Sequence, residues 1–135
     1  MEPSLALQKA IYLALLDDAA IQAHVSDRIY DAIPQDETHT PYIVIGEAQV
    51  IADAADCIDG SELSLQLDIW SDERVGFPTV KSIAHDVRRV LNSFSPSLEG
   101  NRLILFYMEN VRFLRDPDGT RHAAMTFSAL TEPLA

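Results

Sequence analysis

Between residues 62 and 91 the spacing of apolar side chains changes from every second position to every third or fourth, and that switch restricts the fold most. Leu63, Leu65, Leu67 and Ile69 alternate with Glu62, Ser64, Gln66 and Asp68. Successive side chains of a strand point to opposite sides of a sheet, so this alternation predicts a strand with one buried face. From about Gly76, Phe77, Val80, Ala84, Val87, Leu91 and Phe94 recur at helical spacing, and Ile83 and Val90 widen the stripe. That pattern predicts a helix buried along one side. At about 100° per residue, the opposite side collects Lys81, His85, Arg88 and Arg89 into a basic ridge.

The remaining elements fall into place around this pair. Residues 4–16 predict a first helix capped by Ser4, and Asp17 or Asp18 is placed to cap a shorter helix ending near His24. The first helix is apolar nearly all round, with Leu7, Ile11 and Leu15 on one side and Leu5, Leu13 and Leu16 elsewhere. It calls for burial on more than one side, within the domain or against a second subunit. Residues 28–33 form a short strand candidate stopped by Pro34, followed by a polar loop over 35–40. Pro41 opens a strand rich in β-branched residues that reaches about Ile51, its first half expected to be buried on both faces.

Residues 52–61, rich in Asp and closed by Asp59 and Gly60, are either a loop or the tip of a long hairpin. Residues 103–108 and 111–114 predict one long strand, bent or bulged at Glu109 and Asn110. Asp116, Pro117, Asp118 and Gly119 make a turn, and a final strand alternates through Ala123, Met125, Phe127 and Ala129. The expected fold class is α+β: a single domain over residues 1–135 with about four mostly antiparallel strands and helices packed on one face. A chain of 135 residues suits one core and is short for two.

Only one cysteine, Cys57, is present, so there is no thiol pair for a disulfide, zinc or redox chemistry. Asp56 and Asp59 beside it oppose thiolate formation. No apolar run approaches the roughly 20 residues that span a bilayer, and the start lacks a secretory pattern, so synthesis in the cytoplasm is expected. The formal net charge of −11 is concentrated: residues 29–73 hold eleven of the 21 acids and none of the ten Lys and Arg. A field of that sign disfavours gripping nucleic acid through its phosphates.

Candidate chemistry is sparse. Asp53, Asp56 and Asp59 recur at every third residue, which is not the alternate-position oxygen pattern of an EF-hand calcium loop. They read as a solvated acidic loop or, with Glu62, as a surface facing a partner. His85 and Asp86 are adjacent on a helix and diverge, while His24, His39 and His122 stand isolated in sequence. No nucleophile elbow, phosphate loop, dinucleotide fingerprint or zinc helix occurs, so no catalytic, cofactor or metal residues are assigned. The basic ridge is either a solvated helix face or a docking surface for an acidic neighbour, which the acidic third of another copy could supply head to tail.

Several stretches taken in order carry a resemblance. They are residues 3–10 (PSLALQKA), 28–34 (RIYDAIP), 41–46 (PYIVIG), Trp70 with Ser71, Gly76, Phe77 and Pro78 leading into Lys81, and 112–119 (RFLRDPDG). In this order and spacing the chain resembles the tail terminator, or tail completion, proteins of long-tailed phages and phage-derived gene transfer agents. The resemblance implies a virion structural protein without enzymatic activity. It implies a subunit of a homo-hexameric ring at the head-tail junction that caps the tail tube and ends its growth. It also implies contacts with the tail tube protein and the head connector or stopper, with DNA passing through the lumen. The competing expectations are a head-side connector or stopper subunit of such a particle, and a small metal- or ligand-binding enzyme or module.

Overall fold

A computed structural model describes residues 1–33, 39–53, 60–72 and 76–134, the side chain of Asp53 excepted. Among them the elements run α1 (Pro3–Leu16), α2 (Ala19–Val25), β1 (Ile29–Tyr30), β2 (Tyr42–Asp53), β3 (Gly60–Ser71), α3 (Gly76–Asn92), β4 (Asn101–Arg115) and β5 (Arg121–Pro133). The strands form one sheet in the order β1-β2-β3-β5-β4. Only the β1–β2 pair is parallel. The α+β class is as expected, with five strands rather than about four.

The alternating strand lies at the centre, and Leu63, Leu65, Leu67 and Ile69 all point into the core. On β5 the matching positions are Ala123, Met125, Phe127 and Ala129, in register with them across the ladder. The three helices supply the other wall, through Leu7, Ile11 and Leu15 of α1, Ile21 and Val25 of α2, and Val80, Ile83, Ala84, Val87 and Leu91 of α3. Phe127 stacks on Phe106 of β4 with ring centroids 5.4 Å apart, and Phe106 meets Phe94 at 5.3 Å. Aromatic packing thus extends the core to the outer strand.

Four details differ from the sequence reading. The cap of α1 is Glu2, whose carboxylate accepts from the amides of Ser4 and Leu5, while the Ser4 hydroxyl bonds to the same carboxylate. Pro3, with φ already set and no N–H to lose, fits the first helical position and starts the helix ahead of Ser4. Helix α1 also buries only one stripe, leaving Leu5 and Leu13 half exposed. β1 keeps two residues, because Asp31 and Ala32 bend out of the ladder. The 35–38 loop, Pro34 and Cys57 lie outside the described residues.

Other expectations hold in detail. Asp18 caps α2, accepting from the amide of Ile21 at 3.1 Å. Asp53 pairs with Gly60, so β2 and β3 are the arms of a hairpin. β4 is one strand with a register irregularity between Met108 and Asn110, and a second lies between Leu103 and Leu105. Gly119 closes the β4–β5 turn at φ +92°, donating to the carbonyl of Asp116 at 2.8 Å.

Candidate functional site

The sheet has one face under the helices and one without them. On the bare face, the positions between the inward-pointing leucines of β3 are Glu62, Ser64, Gln66, Asp68 and Trp70. The two ends of this face have opposite characters.

At the end near the β4–β5 turn, four rings run across four strands. Tyr30 meets Tyr42 at 6.0 Å, Tyr42 meets Trp70 at 5.6 Å, and Trp70 stacks on His122 at 4.4 Å and 19°. His122 is held edge-on by two carboxylates: Nε2 lies 2.6 Å from Asp68 Oδ1 and Nδ1 lies 3.2 Å from Asp116 Oδ1. The Trp70 indole donates to the other oxygen of Asp116 at 2.8 Å, and Gln66 donates to Asp68. Burial pulls the imidazolium pKa down, but the hydrogen bond and charge of Asp68, then those of Asp116, outweigh it and hold His122 above the usual 6.5. In the protonated form both nitrogens donate, one to each carboxylate, and no ring lone pair is left to act as a base. The cluster is a clamp fastening the turn to the central strand.

Sequence reasoning missed this cluster. The turn brings Asp116 and His122 together, which a hairpin drawn from sequence allows. Asp68, 54 residues from His122, joins them only because β5 lies beside β3.

The opposite end exposes apolar side chains. Ile51 of β2 and Leu105 and Tyr107 of β4, all level with outward-pointing residues of β3, are each between 47% and 51% exposed, while Val50, level with inward-pointing Leu63, is exposed at the edge of the helix-covered face. Between the two strands, Ile51, Glu62, Leu105, Tyr107 and Leu130 line a shallow groove of about 310 Å³. Glu62, from the predicted acidic surface, is exposed here, and Asp53 stands at the end of β2 beside it. Asp56 and Asp59 lie outside the described residues. Among the described residues no group of three or more His, Cys, Asp or Glu is placed to hold a metal ion.

The predicted ridge lies on the exposed side of α3, but its members are not equivalent. Arg89 binds Asp18 at 2.9 Å and Asp86 at 3.5 Å, tying α3 to the cap of α2. The hydrogen bond from Arg89 draws the Asp18 carboxyl below its usual range. Lys81 rests over the rings of Phe113 and Phe77, at 5.4 and 5.8 Å. His85 and Arg88 are exposed and, among the described residues, unpaired.

The sequence profile of the tail completion protein gp17 family matches residues 9–132. The fold is similar to a chain in the solved structure "Virion of native gene transfer agent (GTA) particle", at 25% identity and a TM-score of 0.86 over 96% of each chain. A search of curated proteins returns no match.

Proposed function

The chain belongs to the tail completion protein gp17 family, and from that premise we propose that it forms a homo-hexameric ring capping the tail tube of a phage-like particle. The ring ends polymerisation of the tube, joins the tail to the head connector or stopper, and lets DNA pass through its lumen. One observation carries this reading: the likeness to a chain of a gene transfer agent virion extends over 96% of both chains at a TM-score of 0.86, so the whole subunit is shared. The geometry agrees with a role in assembly, since the polar cluster around His122 on the bare face is tied up internally while apolar side chains stay exposed at the other end. The single domain over residues 1–135 acts as one ring subunit.

Within the ring, the acidic stretch of Asp53, Asp56, Asp59 and Glu62 faces the lumen or a tube subunit, where fixed negative charge keeps passing DNA from adhering. The ridge of Lys81, His85, Arg88 and Arg89 is a docking surface whose free members are His85 and Arg88.

Imaging particles that carry a label on this chain tests the assignment. The label is expected where the tube meets the head connector, and a label confined to the head side instead would assign the chain as a connector or stopper subunit. Particles carrying Asp53→Asn, Asp56→Asn and Asp59→Asn should assemble normally and deliver less DNA. Undiminished delivery removes the lumen role.

A further inference from the structure

The sheet has two free edges, and they match. β4 is an outer strand along all of Asn101–Arg115. On the other side β1 covers β2 only at Ile43 and Val44, so among the described residues nothing pairs with the outer side of residues 47–53. Free edges of this length are templates for further strand pairing. We propose that in the ring β4 of one copy pairs antiparallel with residues 47–53 of β2 in the next copy, continuing the sheet from subunit to subunit. This inference rests on the ring reading above and names its contact.

Four features of the two edges agree. Following the ladder from β2 through β3 and β5 to β4 puts Gln49 level with Tyr107, Val50 with Phe106, and Ile51 with Leu105. Within one subunit each level pair occupies the same face of the sheet, so a copy placed alongside without slippage keeps both faces matched, whereas a one-residue slip inverts them. The exposed apolar residues of both edges stand at the same end of the sheet. On the bare face Ile51 of one copy therefore meets Leu105 beside Tyr107 of the next, and on the other face Val50 meets Phe106, which removes apolar surface from water on both faces.

Charge follows the same order. Further along β4, Arg112 and Arg115 are exposed and, among the described residues, unpaired. Arg112 is level with Val44 and hence with Tyr30 of β1, one residue before Asp31, and Glu47 follows on β2. Asp31 is exposed as well, so the basic end of β4 faces acidic β1, and the contact is heterologous, as a ring requires; Glu47 lies nearer the level of Glu109, which accepts from Ser128. Shape agrees too. The neighbour's edge steps outward where β1 begins, and β4 carries its bulge between Met108 and Asn110, just before that level, where a bulge bends the strand.

The test uses assembled particles. In a Cys57→Ser background, Gln49→Cys with Tyr107→Cys places two thiols level across the contact, about 4.5–5.5 Å apart at Cβ for directly opposed residues. Mild oxidation is expected to convert most of this chain into a ladder of covalent multimers on a denaturing gel, with either single cysteine giving none beyond a dimer. Charge reversal provides a second reading that needs no thiol: Arg112→Glu should lower incorporation into particles at least tenfold, and adding Asp31→Arg should recover most of it. Particles with a normal ring in images, yet no ladder and no effect of Arg112→Glu, overturn the strand contact and leave the ring standing. Images showing no ring of this chain in the wild-type particle overturn both.

Discussion

The two faces of the sheet use similar strand positions for opposite ends. Under the helices Leu63, Leu65, Leu67 and Ile69 of β3 face Ala129, Phe127, Met125 and Ala123 of β5, and Phe127 and Phe106 stack with centroids 5.4 Å apart. On the bare face β3 and β5 hold an ionic clamp at one end, and at the other end the outer strands β2 and β4 expose apolar groups. The difference separates what the monomer needs from what an assembly needs. The covered face supplies stability through burial, and the bare face is left partly incomplete within a single copy.

The largest effect belongs to the covered face. Phe127→Ala removes a side chain that is almost fully buried and stacked, and should destabilise the isolated chain by about 3–5 kcal/mol in urea unfolding. A loss no larger than that of an exposed site would erase the contrast between the faces.

An intermediate effect is expected at the clamp. His122→Gln leaves the Asp68 and Asp116 carboxylates short of a partner and should cost about 1–3 kcal/mol at mildly acidic pH. The charged groups facing the ring are Asp68 from β3 and Asp116 from the end of β4. Since the folded pKa of His122 lies above its unfolded value, the stabilisation is complete below about pH 6.5 and fades as pH rises through the folded value. Urea midpoints of the wild type should therefore fall across that window, and those of His122→Gln should fall less. A wild-type slope that survives the substitution unchanged would assign the pH dependence elsewhere.

The smallest effect on the monomer lies on the outer side of α3, which sharpens the comparison because it is neither core nor clamp. Arg88→Glu should leave the melting temperature unchanged and weaken docking in particles, whereas Arg89→Glu should lower the melting temperature slightly by breaking the contacts to Asp18 and Asp86. Combined, Arg88→Glu and Arg89→Glu should impair the particle more than the fold. Normal assembly and delivery by that double variant would make the ridge ordinary solvated surface.

What could be read in advance followed from local periodicity. The strand at Leu63–Ile69 positions, the stripe of α3, the cap at Asp18 and the bulge near Glu109 each depend on residues close in sequence, and each is present. Ser4 was a good capping residue overruled by Pro3, which set the helix start earlier. The placement of β5 between β3 and β4 depends on pairing across the length of α3, and no local pattern encodes it. The His122 clamp and the matched edges follow from that placement, so they stayed hidden with it. The acidic and basic residues were visible as charges, while their division into paired Arg89 and free Arg88 required the neighbouring helix.

That same placement bears on the order of events when the chain folds. β5 follows β4 in the chain yet lies inside it in the sheet, so β4 enters the sheet only through its hairpin with β5, and only once β5 has settled against β3. Pairing of distant segments is slow relative to local helix and hairpin formation, so the helices and the β2–β3 and β4–β5 hairpins have a head start over the β3–β5 pairing. The docking of the β4–β5 hairpin on β3 is consequently the late step, and a sheet that presents both outer edges together exists only on chains that have completed it. Immature chains lack one of the two edges that the proposed contact between copies requires, which would act as a timing check on self-association.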